Sequence, residues 1–472
     1  MEKATVIGSG PNGLAAAITL AQAGIDIEVR ETAPIAGGGA RSGELTLPGF
    51  VHDLGSAVHP LAVASACFSK LALHQQGLDW IWSPAAVAHP LDDSTTMLLE
   101  RRVEDAAEQF GADSAAYENI FKPLTNNWRN LAHEVLGPLR VPKHPLLLAR
   151  FGLQAFQPAA FFARSSFRNS RTRAFFAGLA AHSILKLEAP LSAAFGLIMG
   201  VTGHAVGWPI PAGGAQRISD ALSRLFVSLG GRMQTGSRVE SLDELEGRDT
   251  ILCDVTPRQF LKLSGTQLPP SFRRLLERYQ YGPGVFKVDW ALREPIPWKA
   301  KDCLRAATVH LGGSLEEIAA SERAAWEGRP PDKPFVLLAQ PSLFDPSRAP
   351  AGQHTAWAYC HVPNGWPHSA LAQIEAQIER FAPGFRDCVL ATAAHSPQQM
   401  QHWNENLIGG DINGGAPNLK QFFLRPTWRR YGTPLKGVYL CSSSTPPGGG
   451  VHGMCGYNAA RWALADLKKN ER

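Results

Sequence analysis

Residues 5–42 read TVIGSGPNGLAAAITLAQAGIDIEVRETAPIAGGGARS, and the rest of the chain is organised around them. Thr5, Val6 and Ile7 have the β-branched, apolar character of a short buried parallel strand. They run directly into Gly8-Ser9-Gly10-Pro11-Asn12-Gly13, a G-x-G-x-x-G between a strand and a helix. In that context Gly8 permits the tight turn, Gly10 lets backbone approach a pyrophosphate, and Gly13 lets the helix pack close to the strand. An Ala- and Leu-rich helix is predicted from about Asn12 to Ala23, with Gly24 as its stop. Its N-terminus offers free N–H groups and a positive dipole end to a diphosphate. A second strand, Ile25 to Arg30, delivers Glu31 eighteen positions after Gly13. There a carboxylate can accept hydrogen bonds from a ribose hydroxyl, and an acid favours a free 2′-hydroxyl over a 2′-phosphate.

Glu31 is followed after five residues by Gly37-Gly38, then Gly39, Ala40, Arg41 and Ser42. On these residues the chain resembles the two-domain FAD oxidoreductases, the superfamily of amine oxidases and carotenoid desaturases, whose signature continues E-x5-G-G-x-x-x-[ST]. The resemblance implies FAD as the cofactor. It also implies that Gly38, Arg41 and Ser42 lie near the phosphates and the flavin. The loop Phe50-Val51-His52-Asp53-Leu54-Gly55 is similar to the one that returns toward the isoalloxazine.

At 472 residues the chain exceeds what one core normally supports, so two domains are expected. The formal net charge of +5 gives no reason to invoke nucleic acid. The seven cysteines (67, 253, 303, 360, 388, 441 and 455) show no C-x-x-C and no metal-ligand spacing, so no metal is expected and a reducing compartment is. With the first strand opening at Thr5, no cleaved leader is expected. The most apolar stretch, Phe175 to Val201, is interrupted by His182, Lys186, Glu188 and Pro190, which argues against a membrane span. These features lead to the expectation of a cytoplasmic protein with at most peripheral membrane contact.

Further along, His59 either lines the flavin pocket or is a capped, structural histidine, and the second is the default. A hairpin is expected over Leu78 to Leu99 around Asp92-Asp93-Ser94, then a mostly helical region from Val103 to Val201. Within it, residues 146–173 combine Leu146, Leu147, Leu148 and five phenylalanines with five arginines. Such a segment suits a membrane surface or a lipidic substrate, and equally suits helices packing an internal cavity. After the Gly207–Gly214 loop, Ile218, Leu222, Leu225, Phe226 and Leu229 have helical spacing. The strand that follows is expected to carry Val239, and the superfamily resemblance assigns this residue backbone hydrogen bonds to the adenine. Val285 to Leu292 alternates as a strand, with Lys287 and Asp289 on one face. Ala306–His310, Phe335–Ala339 and Thr355–His361 are further strands of a mostly antiparallel sheet. If that sheet roofs the flavin, Lys287, Asp289, Tyr359 and His361 are the polar groups aimed at substrate.

The chain closes on a strand, Gly437–Cys441, a glycine-rich loop containing Gly448-Gly449-Gly450-Val451-His452, and a last helix, Tyr457 to Lys468. Backbone N–H groups there suit the flavin N1/C2=O edge, where negative charge builds on reduction. The Pro-Gly-Gly-Gly run is similar to that of the bacterial phytoene desaturases and their relatives, including the pyridine nucleotide-disulphide oxidoreductase domain proteins. Ser442 and Ser443 depart from the glycines common there.

The fold expected is α/β: a Rossmann-like FAD-binding domain from residues 1–70, 205–284 and 420–472, and a discontinuous α+β substrate domain from 71–204 and 285–419. The function expected is hydride transfer between an apolar or unsaturated organic substrate and FAD, with oxygen or a quinone as acceptor. His452, Lys287 and Asp289 are the catalytic candidates. Amine-oxidase-type C–N oxidation and a non-catalytic FAD-containing assembly protein are the alternatives.

Overall fold

A buried β-branched strand needs parallel neighbours on both sides, and Lys3–Ile7 has them. The computed structural model describes residues 2–245, 247 and 249–470. Within it, Lys3–Ile7 lies at the centre of a five-stranded parallel sheet ordered Val438–Leu440, Thr250–Cys253, Lys3–Ile7, Asp26–Arg30, Arg232–Gln234. Segments from the start, middle and end of the chain therefore meet in one sheet. The helix Pro11–Ala21 follows the central strand with proline in its first turn, where the missing N–H costs nothing. It ends two residues earlier than expected, because Gln22 already closes its last turn.

Helix Pro11–Ala21 packs against the final helix, Met454–Asn470, which begins three residues before the position expected for it. Contact is so close that a Cβ on Gly456 would sit 1.7 Å from the Asn12 carbonyl oxygen. The strand expected to carry Val239 ends at Gln234 instead. Gly236 turns the chain out of the sheet with φ +64°, and Val239 lies buried in the connection that follows.

The second sheet has seven strands, ordered Val389–His395, Gly284–Leu292, His354–Val362, Val336–Ala339, Ala306–Leu311, Ala85–Pro90, Thr96–Glu100. All neighbours are antiparallel except Ala306–Leu311 with Ala85–Pro90. The expected hairpin is present, narrowed to residues 85–100. Period-two alternation divides the faces. Phe286, Val288, Trp290 and Leu292 join Ala356, Ala358, Val336 and Leu338 beneath Ile374, Ile378 and Phe381 of helix Leu371–Phe381.

The opposite face looks toward the helical segment. Helix Ser192–Ala205 lies close to its neighbours because Gly196, Gly200 and Gly203 leave room for Phe176, Phe121 and Leu99. Residues 145–181 form three helices, Pro145–Ala155, Ala159–Ser166 and Ser170–Ala181, that bury Phe151, Phe162 and Phe167. Leu146, Leu153 and Phe161 are exposed instead. Among the described residues no single helix is long and apolar enough to cross a membrane.

Candidate active site

The ends of the parallel strands and the polar face of the mixed sheet open onto one continuous cavity of about 710 Å³. At one end lie Gly8, Gly10, Pro11, Asn12, Glu31, Gly38, Arg41 and Val239, all expected nucleotide residues. Gly8 adopts φ +98°, open only to glycine at low cost. A Cβ on Gly38 would stand 2.9 Å from Gly10 Cα, so the two glycine turns touch. Glu31 bridges the turn: its Oε2 accepts from Ser9 N–H (2.8 Å) and Ser9 Oγ–H (2.7 Å), and its Oε1 from Ala33 N–H (2.8 Å). A carboxylate has room for about four such bonds, which leaves acceptor capacity toward the cavity. Arg41 lies over the Trp403 ring at 4.5 Å and donates to the Gly38 and Trp403 carbonyls, with no carboxylate in contact among the described residues. Burial lowers its pKa, against the pull of Glu31.

Two expected members of this end do not line the cavity. Gly13 N–H donates to Asp254 Oδ2 (2.9 Å), and Ser42 Oγ–H donates to Asp53 Oδ1 (2.7 Å). Both are structural here because buried acids claim them. Asp254, just past the end of strand Thr250–Cys253, is itself a missed residue: it fills the space behind Gly8 and Gly10. Burial pushes its carboxyl well above the usual range, and the nearby Glu31 charge adds to this. Asp53 goes the other way. Burial works to raise it, but Arg348, the Ala215 N–H and Ser42 together hold it below its ordinary value.

From the C-terminal loop, Gly449, Gly450 and Val451 line the cavity. Gly448 and His452 do not. A Cβ on Gly448 would stand 3.6 Å from the Arg425 guanidinium carbon. His452 is a correction to the catalytic expectation: its Nδ1 accepts the Met454 N–H (3.0 Å), so the ring caps the final helix, and burial pushes it down to about 4.

At the other end of the cavity, strand pairing assembles a polar face in two rows. His310, Leu337, Tyr359, Lys287 and His395 lie side by side across the strands, and Thr308, Ala339, Trp357, Asp289 and Ala393 form the next row. Lys287, Thr308, Leu337, Trp357 and Tyr359 reach the cavity wall. Asp289 does not. It is fully buried behind Lys287, accepts a hydrogen bond from its ammonium, and has His52 at 3.7 Å. Burial pushes Asp289 up to about 6 and lowers Lys287, each against the attraction of the other. His361, expected to face substrate, is held instead by Glu322 at 2.8 Å. The cavity is closed by apolar groups of the helical segment, among them Ile184, Phe195 and Met199, with Trp208 and His182. His182 Nε2 is 2.9 Å from His310 Nε2.

His59 departs from the structural default. It is buried, lines the cavity, and neither ring nitrogen has a hydrogen-bond partner among the described residues. Asn12 Oδ1, Trp403 Nε1 and Asn413 Nδ2 are also buried, unpartnered and in residues of the cavity wall, at the glycine-rich end. Among the described residues no cluster of metal-binding side chains occurs. Touching glycine turns, spare acceptor capacity on Glu31, the Arg41 guanidinium and these three unpartnered atoms fit a dinucleotide.

Comparison with known proteins agrees with this geometry. Residues 6–70 match the family described as the NAD(P)-binding Rossmann-like domain. The pyridine nucleotide-disulfide oxidoreductase domain-containing protein 2 of Rattus norvegicus is 26% identical, over 98% of this chain and 94% of that protein. The zeta-carotene-forming phytoene desaturase of Myxococcus xanthus is 24% identical, over 94% of this chain and 90% of its own. Among solved structures, putrescine oxidase bound to putrescine has the same fold, with a TM-score of 0.61 at 15% identity and 99% of both chains covered. The chain is thus similar along its length to oxidoreductases of the phytoene desaturase group, and it shares its two-sheet fold with an amine oxidase.

Proposed function

We propose that this protein is an FAD-dependent oxidoreductase that moves a hydride between an apolar or unsaturated organic substrate and the flavin. The observation that carries this reading is the single cavity joining the glycine-rich dinucleotide turn to a chamber walled by Phe195, Met199, Leu337 and Trp357. Two modules share the work. Residues 1–70, 205–284 and 420–472 hold the dinucleotide, and 71–204 and 285–419 shape the substrate chamber.

In the bound state, FAD would rest its diphosphate on Gly8, Gly10 and Gly38 with Arg41 opposing the charge, and its ribose on Glu31. Val239 would meet the adenine, and Gly449, Gly450 and Val451 would meet the flavin. The flavin supplies a two-electron acceptor for a C–H hydride. The chain's own residues bind and orient the substrate and exclude water around it. Lys287, with Asp289 behind it, places the one ammonium of the polar face at the chamber wall, where it can hold a proton or an oxygen of the substrate. The exposed Leu146, Leu153 and Phe161 support an apolar substrate, since they put a greasy surface on two helices that pack against Ser192–Ala205, the helix that lends Phe195 and Met199 to the chamber.

Lys287 beside the Trp357 ring, at 5.8 Å, also favours a second reading, C–N oxidation of an amine. Anaerobic titration of the purified flavoprotein with polyenes, fatty acyl compounds and amines separates the two. Bleaching of the flavin band by polyenes or acyl compounds supports the first reading, and bleaching by amines alone overturns it.

A further inference from the structure

Buried polar groups in folded proteins have partners, and each exception calls for an explanation. In the substrate half of the cavity the exceptions are His59 Nδ1 and Nε2, Thr308 Oγ1 and Trp357 Nε1. Two other polar groups on the same wall are tied within the protein, Lys287 to Asp289 and His182 to His310. Thr308 and Trp357 lie in one cross-strand row with only Ala339 between them, so the small alanine leaves the space over the sheet open. His59, just before the helical turn Pro60–Val63, lines the same cavity. Its backbone N–H is fixed on the Pro209 carbonyl (2.9 Å) and its ring lies 6.1 Å from Trp80, which hold the imidazole in place without satisfying it.

We propose that His59, with Thr308 and Trp357, is a substrate-binding residue that selects a neutral molecule carrying a hydrogen-bond-accepting oxygen on an apolar chain. The inference rests on the chamber being the substrate site proposed above, and it narrows the substrate from any apolar compound to an oxygenated one. The donor inventory points this way. A tryptophan N–H only donates, a threonine hydroxyl donates or accepts, and a neutral imidazole offers one donor and one acceptor. A carbonyl oxygen meets that set. A pure hydrocarbon leaves every one of these groups unpaired, which is costly in a dry cavity. An ammonium finds no free anion, because Asp289 is paired with Lys287 and Glu322 with His361. Burial keeps His59 uncharged by lowering it to about 4.

The test compares three probes of similar chain: farnesylacetone (a ketone), farnesene (a hydrocarbon) and farnesylamine (a cation). Each is titrated into the FAD-loaded full chain and followed by calorimetry and tryptophan fluorescence. The ketone is expected to bind at least ten-fold more tightly than the hydrocarbon. His59→Leu should remove most of that preference with hydrocarbon affinity unchanged, His59→Gln should keep it, and Thr308→Val should reduce it. Equal affinity for ketone and hydrocarbon would mean that water satisfies these atoms, and would overturn the inference. So would a full preference in His59→Leu, or tighter binding of farnesylamine than of the ketone. A colourless protein that still prefers the ketone would sink the flavin reading and keep this one, and a yellow protein without the preference would do the reverse.

Discussion

At Gly10 the fit between the dinucleotide turn and the rest of the chain comes down to one missing carbon. A Cβ there would sit 2.7 Å from Asp254 Oδ2, on the side where the Gly38 turn approaches. Gly10→Val should therefore push both the acid and the neighbouring turn, at a cost of about 1–3 kcal/mol, on the order of 10–100-fold in FAD affinity. Flavin retention through gel filtration, with circular dichroism as the folding control, checks this. Wild-type retention in the variant would remove Gly10 from the cofactor site. The glycine pattern was legible because its geometry admits few other residues. His59 and Asp254 were not, since what distinguishes them is burial created by Pro209, Trp80 and Gly13, distant in sequence from both. His452 misled for the same reason in reverse: it lies in the right loop, but its ring is consumed by the helix cap.

Among elements, the pair of helices Pro11–Ala21 and Met454–Asn470 carries the most exacting contact. Gly456→Ala would drive a methyl group to 1.7 Å from the Asn12 carbonyl oxygen, and backbone cannot yield there without moving the dinucleotide loop. Loss of about 1–3 kcal/mol of stability, and weaker FAD retention with it, is the expected outcome. Thermal melts with and without FAD measure both, and an unchanged Tm would contradict the packing. Elements framed by glycine loops or by strong alternation were readable, as at Val285–Leu292, where the facing of Lys287 and Asp289 came out as the pattern implied. The Val239 strand was not readable. Arg232–Gln234 has three residues, too few for a periodic signal, and Gly236 ends it by turning outward.

Across the whole molecule, buried histidines dominate the response to acid. Burial lowers His52 and His182 to about 3 and His59, His89, His204 and His452 to about 4. The unfolded chain takes up these protons near pH 6.5, whereas the folded one refuses them until well below pH 5, so stability falls as pH drops below about 6.5. Asp289 opposes this: raised to about 6, it holds a proton that the unfolded chain releases near 3.8, and so adds stability as pH falls through that window. Asp254 and Asp411, both raised by burial, act in the same direction as Asp289, and the six histidines outweigh these three acids. The Tm at pH 5 should lie below that at pH 7.5 by on the order of 10 °C, and a flat profile would contradict the burial of these rings.

The measurement that tests the central claim most directly is a titration of the purified chain with FAD, followed by visible absorption after removal of free cofactor. The account predicts about one flavin per chain, set by a single dinucleotide turn, and an absorption band shifted from that of free FAD by the apolar chamber. A chain that is folded by circular dichroism yet emerges colourless from saturating FAD would contradict it.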